Sequence, residues 1–226
     1  GETLEDTIRV IAKYVDAIVI RHPDLGSAEV AASVSDVPVI NAGDGPGEHP
    51  TQALLDAYTI YKEAGRMDDL NVVMVGDLKY GRTIHSLARL LALFSNIKIT
   101  FVAPDELQVP DELYAFLEAN SVQVSKSADL KPNLADADIV YSTRVQRERM
   151  SEEQRKEDHE SKYQMSLSVM EEFAQSNTRI LHPLPRLSEI QTDLDDSPYA
   201  AYFRQAENGL YVRMGLFSLL LDAPIS

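Results

Sequence analysis

The fold class can be read from residues 71–94, which are "NVVMVGDLKYGRTIHSLARLLALF". An apolar, β-branched run ends at Gly76, and after a short turn apolar residues recur at positions 84, 87, 91 and 94. That recurrence is the spacing of one helix face, so the stretch reads as a buried strand followed by an amphipathic helix. Such a unit is typical of a parallel sheet covered by helices.

The same alternation continues along most of the chain. Strand-like runs are expected at 16–20, 37–40, 71–76, 97–103, 122–125, 138–142 and 179–181. Helix-like stretches separate most of these runs, which predicts an α/β fold with doubly wound parallel sheets. Only two of the strands precede Pro50, and two strands make a poor independent core. We therefore expect two domains, of which the first is incomplete in this chain.

The predicted division places residues 1–50 in the remainder of the first domain and residues 51–208 in a complete second domain. The C-terminal stretch reads as a helix, a turn and a strongly apolar helix, and residues 209–226 are expected to pack back on the first domain. The stretch 144–164 is the most polar of the chain. It is either a solvated helix and loop or a mobile lid over a site.

Composition narrows the possible functions. The 226 residues carry a formal net charge of −15, which argues against binding to nucleic acid or an anionic membrane, since both need a positive surface. There is no cysteine, which excludes disulfides and thiolate metal ligands and favours a cytoplasmic location. No apolar run reaches membrane-spanning length, and no metal-ligand spacing is visible. We therefore expect no membrane partner, no metal and no cofactor.

Arginines at strand ends predict an anion-binding pocket. Arg21 and Arg144 each follow a strand-like run, and Arg82 follows the turn after Gly76. Ligands of open α/β sheets bind beyond the carboxyl ends of the strands, where these side chains are expected. The turn before Arg82 differs by one residue from the phosphate-binding loop of nucleotide hydrolases, with arginine in place of lysine. An arginine aimed at a carboxylate is the favoured interpretation, and nucleotide hydrolysis is the alternative.

Three of the five histidines are followed directly by proline: His22, His49 and His182. Pro50 suits the first turn of a helix, which places His49 at the helix N-terminus. The helix dipole there favours a neutral ring that donates a hydrogen bond, and Gln52 lies in the same first turn. A purely structural capping role for this histidine is the alternative.

Four motifs together carry a family resemblance: "HPTQALLD" (49–56), "GDLKYGRTIHSL" (76–87), "STRVQRER" (142–149) and "ILHPLPR" (180–186). Over essentially the whole chain the sequence resembles the aspartate carbamoyltransferases. The His-Pro-Leu-Pro motif, the "TRVQ" sequence and the lack of cysteine favour aspartate over ornithine as the acceptor. The resemblance implies transfer of the carbamoyl group of carbamoyl phosphate to the amine of L-aspartate, the committed step of pyrimidine biosynthesis.

On the carbamoyl phosphate side, the resemblance implies that His49 donates a hydrogen bond to the carbamoyl oxygen and that Arg21 binds the phosphate. Gln52 and the backbone around Leu184 and Pro185 are expected to hold the carbamoyl NH₂ group. The expected catalytic residues are thus His49, Arg21 and Gln52.

On the aspartate side, the resemblance implies that Arg82 and Arg144 bind the two carboxylates, with Gln146 in support. The polar stretch 144–164 corresponds to a mobile loop of the family, which favours the lid interpretation. The resemblance implies no cofactor.

The resemblance also implies an assembly, namely a homotrimer with active sites shared between subunits. Zinc-bearing regulatory chains join such trimers in the allosteric holoenzymes of the family. The family's Ser-Thr-Arg-Thr phosphate-binding loop does not occur in this sequence, and we expect a further N-terminal segment in a working enzyme. The alternative is a non-catalytic fragment or degraded relative that binds the amino acid but lacks the phosphate loop.

Overall fold

The computed structural model describes residues 1–144 and 162–223. Helices and parallel strands alternate along the chain, which confirms the predicted α/β class. The elements in chain order are α1 (Leu4–Ile11), β1 (Ile18–His22), α2 (Ser27–Val34), β2 (Val39–Asp44), α3 (Pro50–Ala64), β3 (Asn71–Val75), α4 (Arg82–Leu91), β4 (Lys98–Val102), α5 (Asp111–Ala119), β5 (Gln123–Ser127), β6 (Ile139–Ser142), α6 (Leu167–Phe173), β7 (Arg179–Leu181) and α7 (Tyr202–Leu220).

The strands form two sheets. Strands β1 and β2 pair in parallel, and the other five form a parallel sheet in the order β5-β4-β3-β6-β7. The chain winds outward from β3 in one direction and then returns to β6 on its other side. The strand order therefore reverses between β3 and β6, and a ligand crevice is expected at their carboxyl ends.

The five-stranded sheet is buried on both faces. Met74 of β3 belongs to one apolar cluster and its neighbour Val75 to another, as expected when successive side chains point to opposite faces. The predicted stripe of α4 covers one face, with Ile84, Leu87 and Leu91 fully buried. Full burial of each such side chain contributes roughly 1.5–3 kcal/mol to folding, so this sheet forms the main core.

The two-stranded sheet has a smaller core. Ile18 and Ile20 of β1 are buried beneath α1 and α2, whereas Val19 between them is 55% exposed. The helices therefore cover only one of its faces. This arrangement provides far less apolar burial than the five-stranded sheet.

The C-terminal stretch differs from the prediction of two helices joined by a turn. Helix α7 runs without interruption through Asn208 and Gly209. The Asn208 Nδ2 atom donates a hydrogen bond to Thr59 Oγ1 at 3.0 Å, and a Cβ atom at position 209 would lie 3.2 Å from a methyl carbon of Leu55. The Asn-Gly pair thus allows close packing of α7 on α3, so the turn prediction was wrong because tertiary contacts decide this position.

Two predictions remain open. The division between residues 50 and 51 falls at the first residue of α3, and α7 packs on that helix. The proposed domains, including the return of residues 209–226 to the first one, stay predictions. Most of the polar stretch 144–164 lies outside the described residues. Within the described part of the chain, no helix combines the length and apolar character needed to cross a membrane.

Candidate active site

A cavity of about 880 Å³ opens where β1, β3, β6 and β7 end. Its walls include all the predicted site residues that the structure describes, namely Arg21, His49, Gln52, Arg82, Arg144, Leu184 and Pro185. The other two His-Pro histidines, His22 and His182, line the same cavity. Gln146 lies outside the described residues. Residues far apart in the chain are therefore brought to one place by the parallel strand ends.

His49 lies at the start of α3, where its side chain makes no capping hydrogen bond. Its backbone N–H donates to Ser86 Oγ at 3.0 Å, which holds the residue against α4. The ring atom Nδ1 is buried and has no hydrogen-bond partner among the described residues. Burial lowers the pKa of His49 to about 4, and the positive charges of Arg82, Arg21 and Arg213 contribute to the decrease. The ring is therefore neutral near pH 7, so it can donate an N–H without carrying a charge.

The Arg82 guanidinium extends from α4 towards the glycine-rich turn after β2. Its Nη1 atom donates to the carbonyl oxygen of Gly45 at 2.8 Å. A Cβ atom at Gly43 would lie 3.0–3.2 Å from three guanidinium atoms, and this glycine has a φ of +119°. The absence of a side chain at position 43 thus gives the arginine the room to reach this position.

The loop between β3 and α4 packs tightly against the end of β6. A Cβ atom at Gly76 would lie 2.2 Å from the carbonyl oxygen of Thr143, and the buried Asp77 accepts a hydrogen bond from the Tyr80 backbone N–H at 2.9 Å. Arg82 occupies the sequence position of the lysine that binds phosphates in nucleotide hydrolases, but its guanidinium donates to the carbonyl oxygen of Gly45. This geometry favours a small carboxylate or phosphate ligand over nucleotide hydrolysis.

The cavity is a locally positive region in a chain of net charge −15. Four arginines line it, namely Arg21, Arg82, Arg144 and Arg213, and no aspartate or glutamate does so within the described residues. Guanidinium groups bind carboxylates and phosphates through paired hydrogen bonds. The cavity can therefore hold more than one anionic group at the same time.

Gln52 presents a defined polar atom to the cavity. Its Nε2 atom donates to Asp56 Oδ1 at 2.9 Å, one helical turn further along α3. Because the amide nitrogen is bonded to Asp56 Oδ1, the amide oxygen is the acceptor that Gln52 can offer to a ligand.

The loop that follows β7 is fixed by His182 and Glu189. The Leu184 N–H donates to His182 Nδ1 at 2.8 Å, so the ring proton is on Nε2, which donates to Glu189 Oε1 at 2.8 Å. Burial is the largest effect on the Glu189 carboxyl and would raise its pKa, but the hydrogen bonds from His182, from the Glu189 backbone and from the Leu187 backbone, with the electrostatic effect of His182, together outweigh it, and the pKa is lowered. Glu189 also accepts from the Leu187 N–H at 3.1 Å. These bonds hold the backbone of residues 183–185 in place at the cavity wall.

Two family profiles cover this chain. The carbamoyl-P binding domain of aspartate/ornithine carbamoyltransferase matches residues 1–62, and the Asp/Orn binding domain matches residues 68–220. The chain belongs to the aspartate/ornithine carbamoyltransferase family. The resemblance inferred from the four sequence motifs is thereby confirmed.

Relatives within the carbamoyltransferase family are close. The aspartate carbamoyltransferase catalytic subunit of Vibrio campbellii is 50% identical over 223 residues, which cover 98% of this chain and 72% of the relative. The chloroplastic aspartate carbamoyltransferase of Arabidopsis thaliana is 50% identical over 222 residues, which cover 98% of this chain and 57% of the relative. This chain thus spans a little over half to about seven tenths of their length.

Solved carbamoyltransferase structures share the fold. The catalytic subunit of M. jannaschii aspartate transcarbamoylase has a TM-score of 0.92 at 44% identity, over 98% of this chain and 72% of that one. Aspartate transcarbamoylase from Trypanosoma cruzi in complex with carbamoyl phosphate and aspartate has a TM-score of 0.88 at 38% identity, over 96% and 69% of the two chains.

One arginine of this cavity was not predicted from the sequence. Arg213 lies on α7 and lines the cavity, and its charge contributes to the low pKa of His49. It is the one charged residue in "GLYVRMGLF" (209–217), so an arginine within an apolar stretch was the available signal. Thr83 and Thr143 also line the cavity, and each is the neighbour of a predicted arginine within one of the quoted motifs.

Proposed function

We propose that this chain carries aspartate carbamoyltransferase activity, converting carbamoyl phosphate and L-aspartate to N-carbamoyl-L-aspartate and phosphate. The observation that carries the proposal is the convergence of Arg21, Arg82 and Arg144 on one cavity beside the neutral ring of His49. Two anionic substrates held side by side require separate cationic groups of this kind. The 50% identity to named aspartate carbamoyltransferases favours aspartate as the acceptor, and no comparison supports a non-catalytic relative.

In the proposed reaction the neutral α-amine of aspartate attacks the carbonyl carbon of carbamoyl phosphate. The π electrons of the carbonyl group move to its oxygen, and a hydrogen bond from the His49 ring stabilises the negative charge that develops there. An electron pair on that oxygen then re-forms the C=O bond as the bond between the carbonyl carbon and the phosphate oxygen breaks, and the electron pair of the broken bond leaves with phosphate. The proton lost by the amine ends on phosphate, which balances the reaction. Removing one such donor typically lowers kcat by roughly 10²–10³.

The remaining predicted site residues bind and orient the substrates. Arg21 would neutralise the phosphate, while the Gln52 amide oxygen and the backbone around Leu184 and Pro185 would accept hydrogen bonds from the carbamoyl NH₂ group. These groups hold the carbonyl carbon where the amine can reach it, which lowers the entropic cost of the reaction.

The aspartate carboxylates are assigned to Arg82, Arg144 and Gln146. Arg82 begins the helix that follows β3, Arg144 follows the adjacent strand β6, and both line one cavity. Gln146 is carried over from the motif "TRVQ" and lies outside the described residues. A two-arginine site selects a dicarboxylic amino acid over one with a cationic side chain.

The proposal can be tested with an activity assay on the protein isolated from its natural source. We expect carbamoyl-aspartate from carbamoyl phosphate and aspartate, and an Arg82→Ala variant should lose about 10³-fold in kcat/KM for aspartate, since a bidentate carboxylate contact is lost. Calorimetry should show carbamoyl phosphate binding retained. Arg9→Ala on the exposed face of α1 is the matched control and should behave as wild type. Absence of product from the wild-type protein would contradict the proposed function. If Arg82→Ala weakened the use of aspartate and the binding of carbamoyl phosphate equally, the role assigned to Arg82 would be wrong.

Assembly and location are proposed on the same basis. We propose a homotrimer with shared active sites that joins zinc-bearing regulatory chains in the cytoplasm, supported by relatives that are themselves catalytic subunits. Because this chain has no cysteine, thiolate-bound zinc would belong to another chain. Light scattering of the purified protein should give three times the chain mass. Co-purification of zinc with a second polypeptide would support the regulatory chains. Cell fractionation tests the cytoplasmic location.

A further inference from the structure

We infer that Asp56 is a positioning residue. It orients the two groups that would accept hydrogen bonds from the carbamoyl NH₂ group, which are the Gln52 amide oxygen and the backbone after His182. The inference rests on the proposed function. Asp56 is fully buried in the middle of α3 and does not line the cavity. It therefore acts on a ligand only through other residues.

Three side chains donate hydrogen bonds to this one carboxyl group. Gln52 Nε2 and Gln205 Nε2 both donate to Oδ1, at 2.9 Å and 2.6 Å, and the Tyr141 hydroxyl donates to Oδ2 at 2.7 Å. The donors come from α3, α7 and β6. A fully buried carboxyl group is costly unless such bonds compensate it, so packing alone gives no reason for an acid at this position.

The first connection runs to Gln52. An amide group can rotate by half a turn and exchange its oxygen and nitrogen with almost no change in shape. The hydrogen bond to Asp56 prevents this exchange, because its Oδ1 atom accepts from the NH₂ group and would repel an amide oxygen placed there. Without Asp56 the amide could present its NH₂ group to the carbamoyl NH₂ group, where two donors would face each other.

The second connection runs through Gln205 to the loop after β7. Gln205 Nε2 donates to Asp56, and its Oε1 accepts from the His182 backbone N–H at 2.7 Å. Gln205 is 1% exposed, so this bridge is shielded from water. The same carboxyl group thus orients Gln52 and anchors the start of the segment from His182 to Pro185. Gln52 and His182 are 130 residues apart in the sequence.

A comparison of two ligands separates positioning from general structural support. Carbamoyl phosphate has the NH₂ group that Gln52 and the loop would hold, whereas inorganic phosphate lacks it. For Asp56→Ala we expect carbamoyl phosphate to bind about tenfold more weakly and kcat to fall, since about one hydrogen bond to the ligand is lost. Inhibition by inorganic phosphate should be unchanged. Asp56→Asn keeps an oxygen for both glutamines and should restore carbamoyl phosphate binding to near the wild-type value.

Thr59→Val is the matched control, because Thr59 is buried one turn further along α3 and bonds Asn208 of α7 without contact to the cavity. It should lower Tm while leaving both ligand affinities unchanged. If Asp56→Ala does not fold, Gln205→Met replaces it; it breaks only the connection to the loop and should show a smaller loss that is again confined to carbamoyl phosphate. Equal weakening of both ligands, or no change in either, overturns the inference. An inactive wild-type protein would instead contradict the proposed function itself.

Discussion

The Nη1 atom of Arg82 lies 2.8 Å from the carbonyl oxygen of Gly45. Arg82 begins α4, which covers the five-stranded sheet, whereas Gly45 belongs to the turn that follows β2 of the two-stranded sheet. This hydrogen bond therefore connects the two parts of the fold directly at the cavity. The position of the arginine depends on the backbone of the glycine-rich turn, not only on its own helix.

A substitution at Gly43 tests this dependence. A methyl group there would contact the guanidinium of Arg82 at about its closest permitted distance, and the φ of +119° is strained for alanine. We expect Gly43→Ala to raise the KM for aspartate about tenfold, since displacing a charged hydrogen-bond donor costs on the order of 1.5 kcal/mol. Steady-state kinetics measure the effect.

Gly65→Ala is the matched control for that experiment. Gly65 also has a positive φ, +72°, but a methyl group there would meet nothing within 4 Å. It should lower Tm by a few degrees through backbone strain and leave the KM for aspartate unchanged. A similar KM for both variants would show that Gly43 does not place Arg82.

The neutral state of His49 can be measured directly. Burial and three nearby arginines lower its pKa to about 4, against 6.5 for a free histidine. NMR of histidine-labelled protein should therefore show one ring that stays neutral through pH 5, assigned by its loss in His49→Asn. Arg82→Ala should move that midpoint upward. A midpoint near 6.5 in the wild-type protein contradicts the assigned environment.

The low pKa of His49 makes the free energy of unfolding depend on pH. The unfolded chain takes up a proton at His49 below about pH 6.5, while the folded protein does so only near pH 4. The unfolded state therefore binds more protons in this window, and the contribution of His49 to the free energy of unfolding falls as the pH is lowered.

Much of the fold was predictable from local pattern. The strand-like runs are short and apolar, and they alternate with helical stretches, so strands and parallel class follow from periodicity alone. Arg21, Arg82 and Arg144 were expected at one edge because parallel strands bring their carboxyl ends together, and His49 was expected at a helix start because of Pro50; all four line one cavity. Their shared location was thus predictable from simple rules, while their roles stay predictions.

Long-range packing explains what the sequence analysis missed. Asp56 looks like a polar residue of an ordinary helix, and its partners Tyr141 and Gln205 lie 85 and 149 residues away. Asn208 and Gly209 have the composition of a turn, yet α3 provides the contacts that keep them helical. No local signal specifies which helix will pack on which.

The contact between His182 and Glu189 should support the loop that lines the cavity. Glu189→Ala would leave the buried His182 Nε2–H and the Leu187 N–H without an acceptor. We expect a loss of roughly 2–4 kcal/mol in the free energy of unfolding, measured by urea denaturation. Glu189→Gln retains one acceptor oxygen and should recover part of this loss. Glu118→Ala, on the exposed side of α5, should change stability by less than about 0.5 kcal/mol.

The buried carboxyl group of Asp56 should make stability depend on pH in a direction opposite to most acids. Burial raises its pKa from 3.8 to about 7, although hydrogen bonds from Tyr141, Gln205 and Gln52 and the charge of Arg213 oppose the increase. Between these values the folded protein keeps a proton that the unfolded chain has released. The free energy of unfolding therefore falls as the pH rises through this window.

Asp56→Asn cannot titrate, so it isolates this contribution. Urea denaturation at about pH 5 and about pH 8 should show the variant gaining stability relative to wild type at the higher pH, by up to about 1.4 kcal/mol for each pH unit crossed. Taking the difference between the two proteins cancels the effect of His49 and of every other titrating group that the substitution leaves unchanged. If the two stability curves run parallel between these pH values, Asp56 is ionised in the folded protein throughout, and its three hydrogen bonds outweigh the cost of burying the charge.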